Sequence, residues 1–118
     1  MTPKAFEAVA LALTAATADV KWGVDRVYSV GGKMFAVAGP IDRPDPSYKF
    51  KASDMAFELL VEQGVARPSP YLARAKWVEL VRADALPDAE LTAYLAQAHA
   101  IVAAGLTRKA RAALGLPV

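Results

Sequence analysis

The sequence has 118 residues, which is a common size for one domain, and it contains no cysteine. The lack of cysteine excludes disulfides, thiolate metal sites and a cysteine nucleophile. Fourteen basic and 12 acidic residues give a formal net charge of +2, so nucleic-acid binding would have to depend on where the charges lie. The apolar run at residues 5–18 contains Glu7 and is too short to span a bilayer. We therefore expect a single cytoplasmic domain over residues 1–118, without a secretory signal or membrane partner.

The first segment has the spacing of an amphipathic helix. Thr2 and Pro3 are typical of a helix start. The N–H groups of the first helical turn have no partner within the helix, so proline, which has no N–H, loses no hydrogen bond there. Apolar residues then recur at helical intervals, at Phe6, Val9, Ala10 and Leu13. This pattern predicts a helix over residues 3–17 that lies on a sheet.

Two strand-like runs, residues 25–30 and 33–38, flank Gly31 and Gly32. This is a strong hairpin pattern, because a type I′ turn needs positive φ at both of its central positions. The two-residue turn predicts that Val30 faces Lys33 and that Tyr28 faces Phe35. The predicted core-facing side chains are Tyr28, Val30, Phe35 and Val37, and the opposite face would carry Val27, Met34 and Ala36.

The remaining elements are predicted from helix-capping residues, from prolines that interrupt regular structure, and from the alternation of apolar and polar residues. Proline-containing segments 39–46 and 65–71 indicate irregular structure, whereas residues 47–51 and 75–82 alternate like strands. Ser53 and Thr107 are typical helix caps, and they predict helices over 54–62 and 108–114 on either side of a long helix over 87–104. Local β pairing with separate helices predicts an α+β fold, an antiparallel β-sheet with the N-terminal helix and C-terminal helices packed on one face.

Three stretches of the sequence resemble the MmcQ/YjbR family of small bacterial proteins. They are residues 20–23 (VKWG), residues 27–36 (VYSVGGKMFA) and residues 70–78 (PYLARAKWV). The resemblance covers essentially the whole chain and implies a frataxin-like α+β sandwich. The family is often labelled DNA-binding because of a proposed double-winged arrangement, and the resemblance implies the same function here.

Basic residues lie along the predicted sheet and around the third stretch. We expect a non-enzymatic, DNA-binding accessory protein that contacts the phosphates of double-stranded DNA with weak sequence preference, since no recognition helix is apparent. Lys33 would lie at a hairpin tip, where a wing contact is expected. The alternative is that these charges only prevent edge-to-edge aggregation. The predicted contact residues are Lys21, Arg26, Lys33, Lys49, Lys51, Arg74 and Lys76.

A second hypothesis is a module that binds a small anionic ligand or a protein through residues 70–77. Tyr71, Arg74 and Trp77 would form this site, because arginine stacks on aromatic rings and pairs bidentately with phosphate or carboxylate. The alternative, which we expect for both tryptophans, is that Trp22 and Trp77 pack in the core or at its rim and that the prolines only set a turn.

The sequence gives no reason to expect an enzyme, a cofactor or a metal. His99 has no second histidine or cysteine to act with, and we expect it to lie at the surface or at the boundary of the core. The aspartates near prolines are typical of turns and caps. Glu7 is the only acid within the predicted first helix, so an iron-binding acidic ridge is not expected.

Overall fold

A computed structural model describes residues 1–40, 43, 45–70 and 72–118. Within them lies one antiparallel sheet of six strands in the order β1-β2-β3-β4-β6-β5. The strands are β1 Thr17–Lys21, β2 Asp25–Val30, β3 Lys33–Gly39, β4 Ser47–Lys51, β5 Ala66–Pro68 and β6 Trp77–Leu80. The helices are α1 Pro3–Leu11, α2 Asp54–Glu62, α3 Asp88–Ala104 and α4 Arg108–Ala113, with a 3₁₀ turn at Ala73–Ala75. No described helix is long and apolar enough to cross a membrane. The predicted α+β class is confirmed.

The core lies between one face of the sheet and the helices. Phe6 of α1 is fully buried, and its ring stacks on that of Tyr48 with centroids 4.4 Å apart. The Phe6 ring also meets that of Tyr28 at 5.7 Å. Burial raises the pKa of both tyrosines to about 12, so their hydroxyls stay protonated. The Tyr48 hydroxyl donates to the Met1 carbonyl oxygen at 2.6 Å, which satisfies a polar group beside the core.

The predicted helix caps are confirmed, whereas the predicted length of α1 is wrong. Thr2, Ser53 and Thr107 each accept a hydrogen bond from the backbone N–H three residues later. The helix α1 ends at Leu11 rather than at residue 17, and Ala15 then adopts a φ of 58°. Helical propensity favours this alanine-rich segment, but pairing of β1 with β2 takes the chain into the sheet instead.

The β2–β3 hairpin has the predicted turn, but a bulge changes its register. Val30 pairs with Lys33 as expected, and Gly31 and Gly32 have φ of 59° and 79°. Beyond Ser29 the register shifts, so Tyr28 pairs with Ala36 rather than with Phe35. The extra residue leaves two consecutive side chains of β3 on the helix side of the sheet.

Because of this bulge, two side chains of β3 lie on the face of the sheet opposite to the one predicted. Ala36 lies in the main core with Phe35, and Val37 lies on the opposite face with Val27. The prediction failed because both faces of this hairpin are apolar, so hydrophobic alternation does not reveal an inserted residue. We call this opposite face the open face, because its apolar cluster contains strand residues and Leu72 but no residue of the described α-helices.

Two segments beside the long connections also differ from expectation. Residues 65–71, predicted to be irregular, include β5, which pairs with β6 at the sheet edge, where a proline such as Pro68 is tolerated. The predicted strand over 75–82 is shorter, because Lys76 has a φ of 64° and β6 begins only at Trp77. The predicted loop over 39–46 contains no described strand beyond Gly39, and its residues 41, 42 and 44 lie outside the described part.

His99 is buried, so its predicted place at the surface or boundary is wrong. Only 8% of this residue is exposed, and its Nε2 lies 2.7 Å from the Thr14 carbonyl oxygen. Its ring is nearly perpendicular to that of Phe35, with the two ring centroids 5.3 Å apart. The imidazole is buried because one end finds a backbone partner while the ring packs on an aromatic side chain.

Replacing Phe6 by alanine tests the importance of the α1–sheet contact. We expect the free energy of unfolding to fall by about 3–5 kcal/mol, because the change removes a fully buried ring. Leu11 lies in the same helix and is 42% exposed, so Leu11→Ala is the matched control, with an expected loss of about 0.5 kcal/mol. Urea unfolding of both variants would contradict this account if their losses were equal.

Candidate ligand-binding site

A pocket of about 280 Å³ opens on the open face of the sheet. Its lining is mostly apolar, with one carboxylate, one ammonium group and one hydroxyl. The volume is close to the lower end of the range for small-molecule sites, roughly 300–1,000 Å³. The pocket lies where the β1–β2 turn and the β5–β6 connection meet over β3, and its lining residues are Trp22, Asp25, Met34, Val37, Lys49, Ser69, Pro70 and Leu72.

Trp22 stands at the mouth of this pocket in an unusual backbone conformation. It begins the turn between β1 and β2, where Trp22 has a φ of 54° and Gly23 a φ of 80°. Asn, Asp and Gly adopt such conformations readily, but a bulky residue does so at a cost of about 1–3 kcal/mol. The turn keeps Trp22 68% exposed. The expectation that both tryptophans pack in the core or at its rim is therefore wrong for Trp22.

Ser69 supplies a buried hydroxyl to the pocket. It is 1% exposed, and its backbone groups are satisfied by the Trp77 carbonyl oxygen and the Leu72 N–H. Among the described residues, its Oγ has no hydrogen-bond partner. An unsatisfied buried hydroxyl costs about 1–3 kcal/mol, so a polar ligand atom within hydrogen-bond reach of Ser69 Oγ would be favoured. Sequence reasoning missed Ser69, because a serine before Pro70 resembles an ordinary turn residue.

Asp25 owes its position to a glycine on the neighbouring strand. The two residues are adjacent across β2 and β3, and a Cβ on Gly39 would lie 3.0 Å from the Asp25 Cα and collide with the Asp25 carboxylate. The absence of a side chain at Gly39 therefore lets Asp25 reach across β3 at the pocket wall. This is a packing requirement, since the φ of Gly39 is not in the left-handed region.

Glu79 anchors the basic side chains behind the pocket. Its Oε1 accepts from the Ser47 hydroxyl at 2.6 Å, and its Oε2 accepts from the Arg67 Nε at 2.7 Å. The Lys49 Nζ lies 3.9 Å from Oε1. Burial alone would raise the pKa of Glu79, but the hydrogen bonds from Ser47 and Arg67 and the charges of Arg67 and Lys49 outweigh it and lower the pKa. Glu79 therefore stays ionised and holds Lys49 and Arg67 on the open face.

The pocket also joins the three stretches that carry the family resemblance. Trp22 comes from the first stretch, Met34 from the second, and Pro70 and Leu72 from the third. The YjbR family model matches residues 11–101. The chain belongs to the YjbR family. The residues that made the sequence resemble that family thus meet at one place on the surface.

The fold of this YjbR chain has a counterpart among solved structures. It is similar to the crystal structure of Deinococcus radiodurans protein DR2400, a DUF419 domain, with a TM-score of 0.85. The two share 22% sequence identity over 98% of this chain and 89% of that one. This likeness confirms the expected fold and carries no information on activity. No curated protein matches the YjbR chain.

The predicted nucleic-acid-binding residues do not form one continuous surface. Strand register places Lys21, Lys49 and Lys51 on the open face. Each of them pairs with an open-face residue of the neighbouring strand, or lies two residues along its own strand from an open-face residue. Lys51 also donates to the Ala75 carbonyl oxygen, and Arg74 is exposed in the adjoining 3₁₀ turn.

The other three predicted residues lie elsewhere. Arg26 is on the helix side of the sheet, where its Nε bonds the Glu7 carboxylate at 2.6 Å. Lys33 is exposed at the hairpin tip. The Lys76 Nζ lies over the Phe57 ring of α2, 4.9 Å from its centroid. Arg26 and Lys76 thus have structural partners that the sequence alone did not reveal.

The three residues of the alternative ligand site also separate. Trp77 is 4% exposed and packs in the open-face cluster, so it is not available as a ring platform. Arg74 is not among the pocket-lining residues, and Tyr71 lies outside the described part of the chain. Among the described residues, no group of three histidine or carboxylate side chains is placed to hold a metal ion.

Replacing Trp22 by asparagine tests whether the turn holds the indole at a cost. We expect the free energy of unfolding to rise by about 1 kcal/mol, because asparagine tolerates positive φ and little buried surface is lost. Thermal or urea unfolding measures the change. A loss of more than about 1 kcal/mol would instead make Trp22 an ordinary packing residue.

The Glu79 anchor predicts a specific dependence of stability on pH. Because the folded pKa lies below the ordinary value of 4.5, ionised Glu79 stabilises the fold fully above about pH 4.5. This contribution is lost as the pH falls through the folded pKa. At about pH 7 we expect Glu79→Gln to cost about 1–3 kcal/mol, since two donors lose a charged acceptor.

The difference between wild type and Glu79→Gln should shrink as the pH falls through the lowered folded pKa, because the wild-type side chain takes up a proton and becomes neutral like glutamine. Urea unfolding over a series of pH values from about 7 downward measures it. A difference that stays constant with pH would show that packing, and not charge, accounts for the role of Glu79.

Proposed function

We propose that this YjbR protein is a non-enzymatic binding protein that binds nucleic acid on the open face of its sheet. One observation carries the proposal: an exposed indole stands beside lysines on a face that the described α-helices leave uncovered. Trp22 is 68% exposed, and Lys21, Lys49 and Lys51 lie on the same face. This pairing of a ring with cations matches what nucleic acid offers, which is flat bases joined by phosphates.

The two parts of this surface have different energetic roles. An aromatic side chain that stacks on a base contributes about 1–3 kcal/mol and tolerates any sequence. A lysine that neutralises a phosphate releases counterions, so its contribution falls as salt rises. The expected binding is therefore sensitive to salt and weak in sequence preference.

The lysines span a distance suited to a short length of strand. Lys21 and Lys51 are three strands apart across the sheet and four residues apart along it. At about 4.8 Å per strand and about 3.3 Å per residue, this gives roughly 20 Å, with Lys49 in between. Strand register places Asp19, Asp25 and Glu79 on the same face, so the surface is only modestly positive. Modest charge favours a partner that also gains from stacking.

Stacking on Trp22 requires a base whose face is accessible, and bases in a duplex are covered by their neighbours. The open face therefore suits an unpaired strand better than double-stranded DNA. The duplex remains the expected partner of the exposed Lys33 hairpin tip, if that tip acts as a wing. A labelled duplex and a labelled single strand of the same sequence separate these two modes.

The test is fluorescence anisotropy of both probes at about 50 and 200 mM salt, the range in which phosphate contacts are visible. The test variant combines Lys21→Ala, Lys51→Ala and Arg74→Ala. The control combines Lys4→Ala, Arg108→Ala and Lys109→Ala, which removes the same three charges from exposed positions in α1 and α4.

We expect the test variant to bind the single strand more weakly. The slope of log K against log salt should fall by about 0.7 for each phosphate contact removed, the value for single strands. The control should keep both affinity and slope. The proposal fails if wild type does not bind at about 50 mM salt, or if both triple variants lose affinity equally.

A further inference from the structure

We propose that the open-face pocket recognises a neutral heteroaromatic ring, the chemistry of a nucleobase, with its face against Trp22 and its polar edge toward Ser69. The inference deepens the proposed function and rests on it for the source of the ring. That source is either an unpaired base in a strand or a free nucleoside, and the experiment below tells them apart.

The apolar lining sets the shape of the ligand. Met34 and Val37 of β3 and Leu72 of the β5–β6 connection contribute to it, while the indole of Trp22 stands at the mouth. A pocket of about 280 Å³ is slightly smaller than sites for drug-sized molecules, so one ring system fits and a larger ligand does not. Flat rings bury the most surface against such walls, and they stack on indole.

The Ser69 side chain favours a ligand with hydrogen-bonding groups. Ser69 is among the pocket-lining residues and is 1% exposed, and its buried Oγ has no partner among the described residues. A hydroxyl offers one donor and two acceptor positions. A purely apolar ring would leave all of them unsatisfied, whereas a ring nitrogen, carbonyl or amino group would pair with one.

The charged lining residues favour a neutral ligand over an anion. Asp25 and Lys49 both line the pocket and carry opposite charges. An anion would be attracted by Lys49 but repelled by Asp25, and a cation would be attracted by Asp25 but repelled by Lys49. A neutral ring edge that carries both donors and acceptors can use both side chains, and nucleobases have such edges. This differs from the anionic ligand expected from sequence.

The backbone around Trp22 supports the same assignment. A tryptophan with positive φ, largely exposed beside a pocket, is an arrangement that packing alone does not favour. Such conformations concentrate at ligand-binding positions, where the held side chain is ready to contact a ligand.

The direct test is titration with free adenosine, guanosine, cytidine and uridine, followed by NMR chemical shifts and by tryptophan fluorescence. Toluene serves as a flat ring without polar groups. We expect at least one nucleoside to bind with a Kd on the order of 0.1 mM, a typical affinity for a ligand of that size. The shifts should map to the pocket, and toluene should bind more weakly.

Two variants and one control assign the contacts. We expect Trp22→Asn to weaken nucleoside binding at least about 10-fold, and Ser69→Ala to weaken it about 5-fold to 10-fold. Both are compatible with the fold, because asparagine suits the turn and alanine removes an unpaired hydroxyl. Met55→Ala changes a residue on α2 that is 80% exposed, and it should leave binding unchanged. The inference is overturned if no nucleoside binds at about 10 mM, if toluene binds equally well, or if neither variant weakens binding.

The same variants separate this inference from the proposed function. If a single strand binds with the predicted salt dependence and Trp22→Asn weakens that binding, but no nucleoside binds, the pocket inference fails alone. If nucleosides bind through Trp22 and Ser69 but no oligonucleotide binds at about 50 mM salt, the nucleic-acid function fails and a free nucleoside is the ligand.

Discussion

The bulge in β3 decides which side chains reach each face of the sheet. Because one residue is inserted opposite Tyr28 and Ser29, Phe35 and Ala36 both point toward the helices, and Met34 and Val37 both reach the open face. The first pair fills the core under α3, and the second pair lines the pocket. One local irregularity thus serves both the core and the candidate site, in agreement with the frequent placement of bulges next to functional sites.

The sheet has apolar side chains on both faces, while the described helices cover only one. On the open face, Leu72 packs against the cluster that contains Trp77, and the β5–β6 connection that carries Leu72 therefore acts as a partial cover. The cover leaves two features that a purely structural surface would avoid, an exposed Trp22 with positive φ and an unpartnered Ser69 hydroxyl among the described residues. Positive φ also occurs at Ala15 and Lys76, and Arg111 Nε is likewise buried without a partner among the described residues. At the open-face pocket, however, the two kinds of departure occur together, which makes this pocket the candidate site.

The sequence predicted local structure well wherever a residue type has one strong conformational role. Ser53 and Thr107 cap helices, and the two glycines make the hairpin turn. It failed where the outcome depends on residues far apart in the chain: the bulge, the burial of His99 on Thr14 and Phe35, and the pairing of Arg26 with Glu7. The same reason limited the site. Trp22 was visible as part of a motif, but its exposure follows from a turn conformation that favours other residues, and Ser69 gave no signal at all.

Charge alone would make the open face a poor surface for nucleic acid. Glu79 engages Arg67 and Lys49, while Lys21, Lys51 and Arg74 have no ion-pair partner among the described residues. A few phosphate contacts at physiological salt give weak, non-specific attraction. The apolar pocket changes this balance, because stacking and a paired Ser69 hydroxyl do not decline with salt as phosphate contacts do. Under the proposed function, the lysines would therefore bring a strand to the sheet, and the open-face pocket would hold one of its bases.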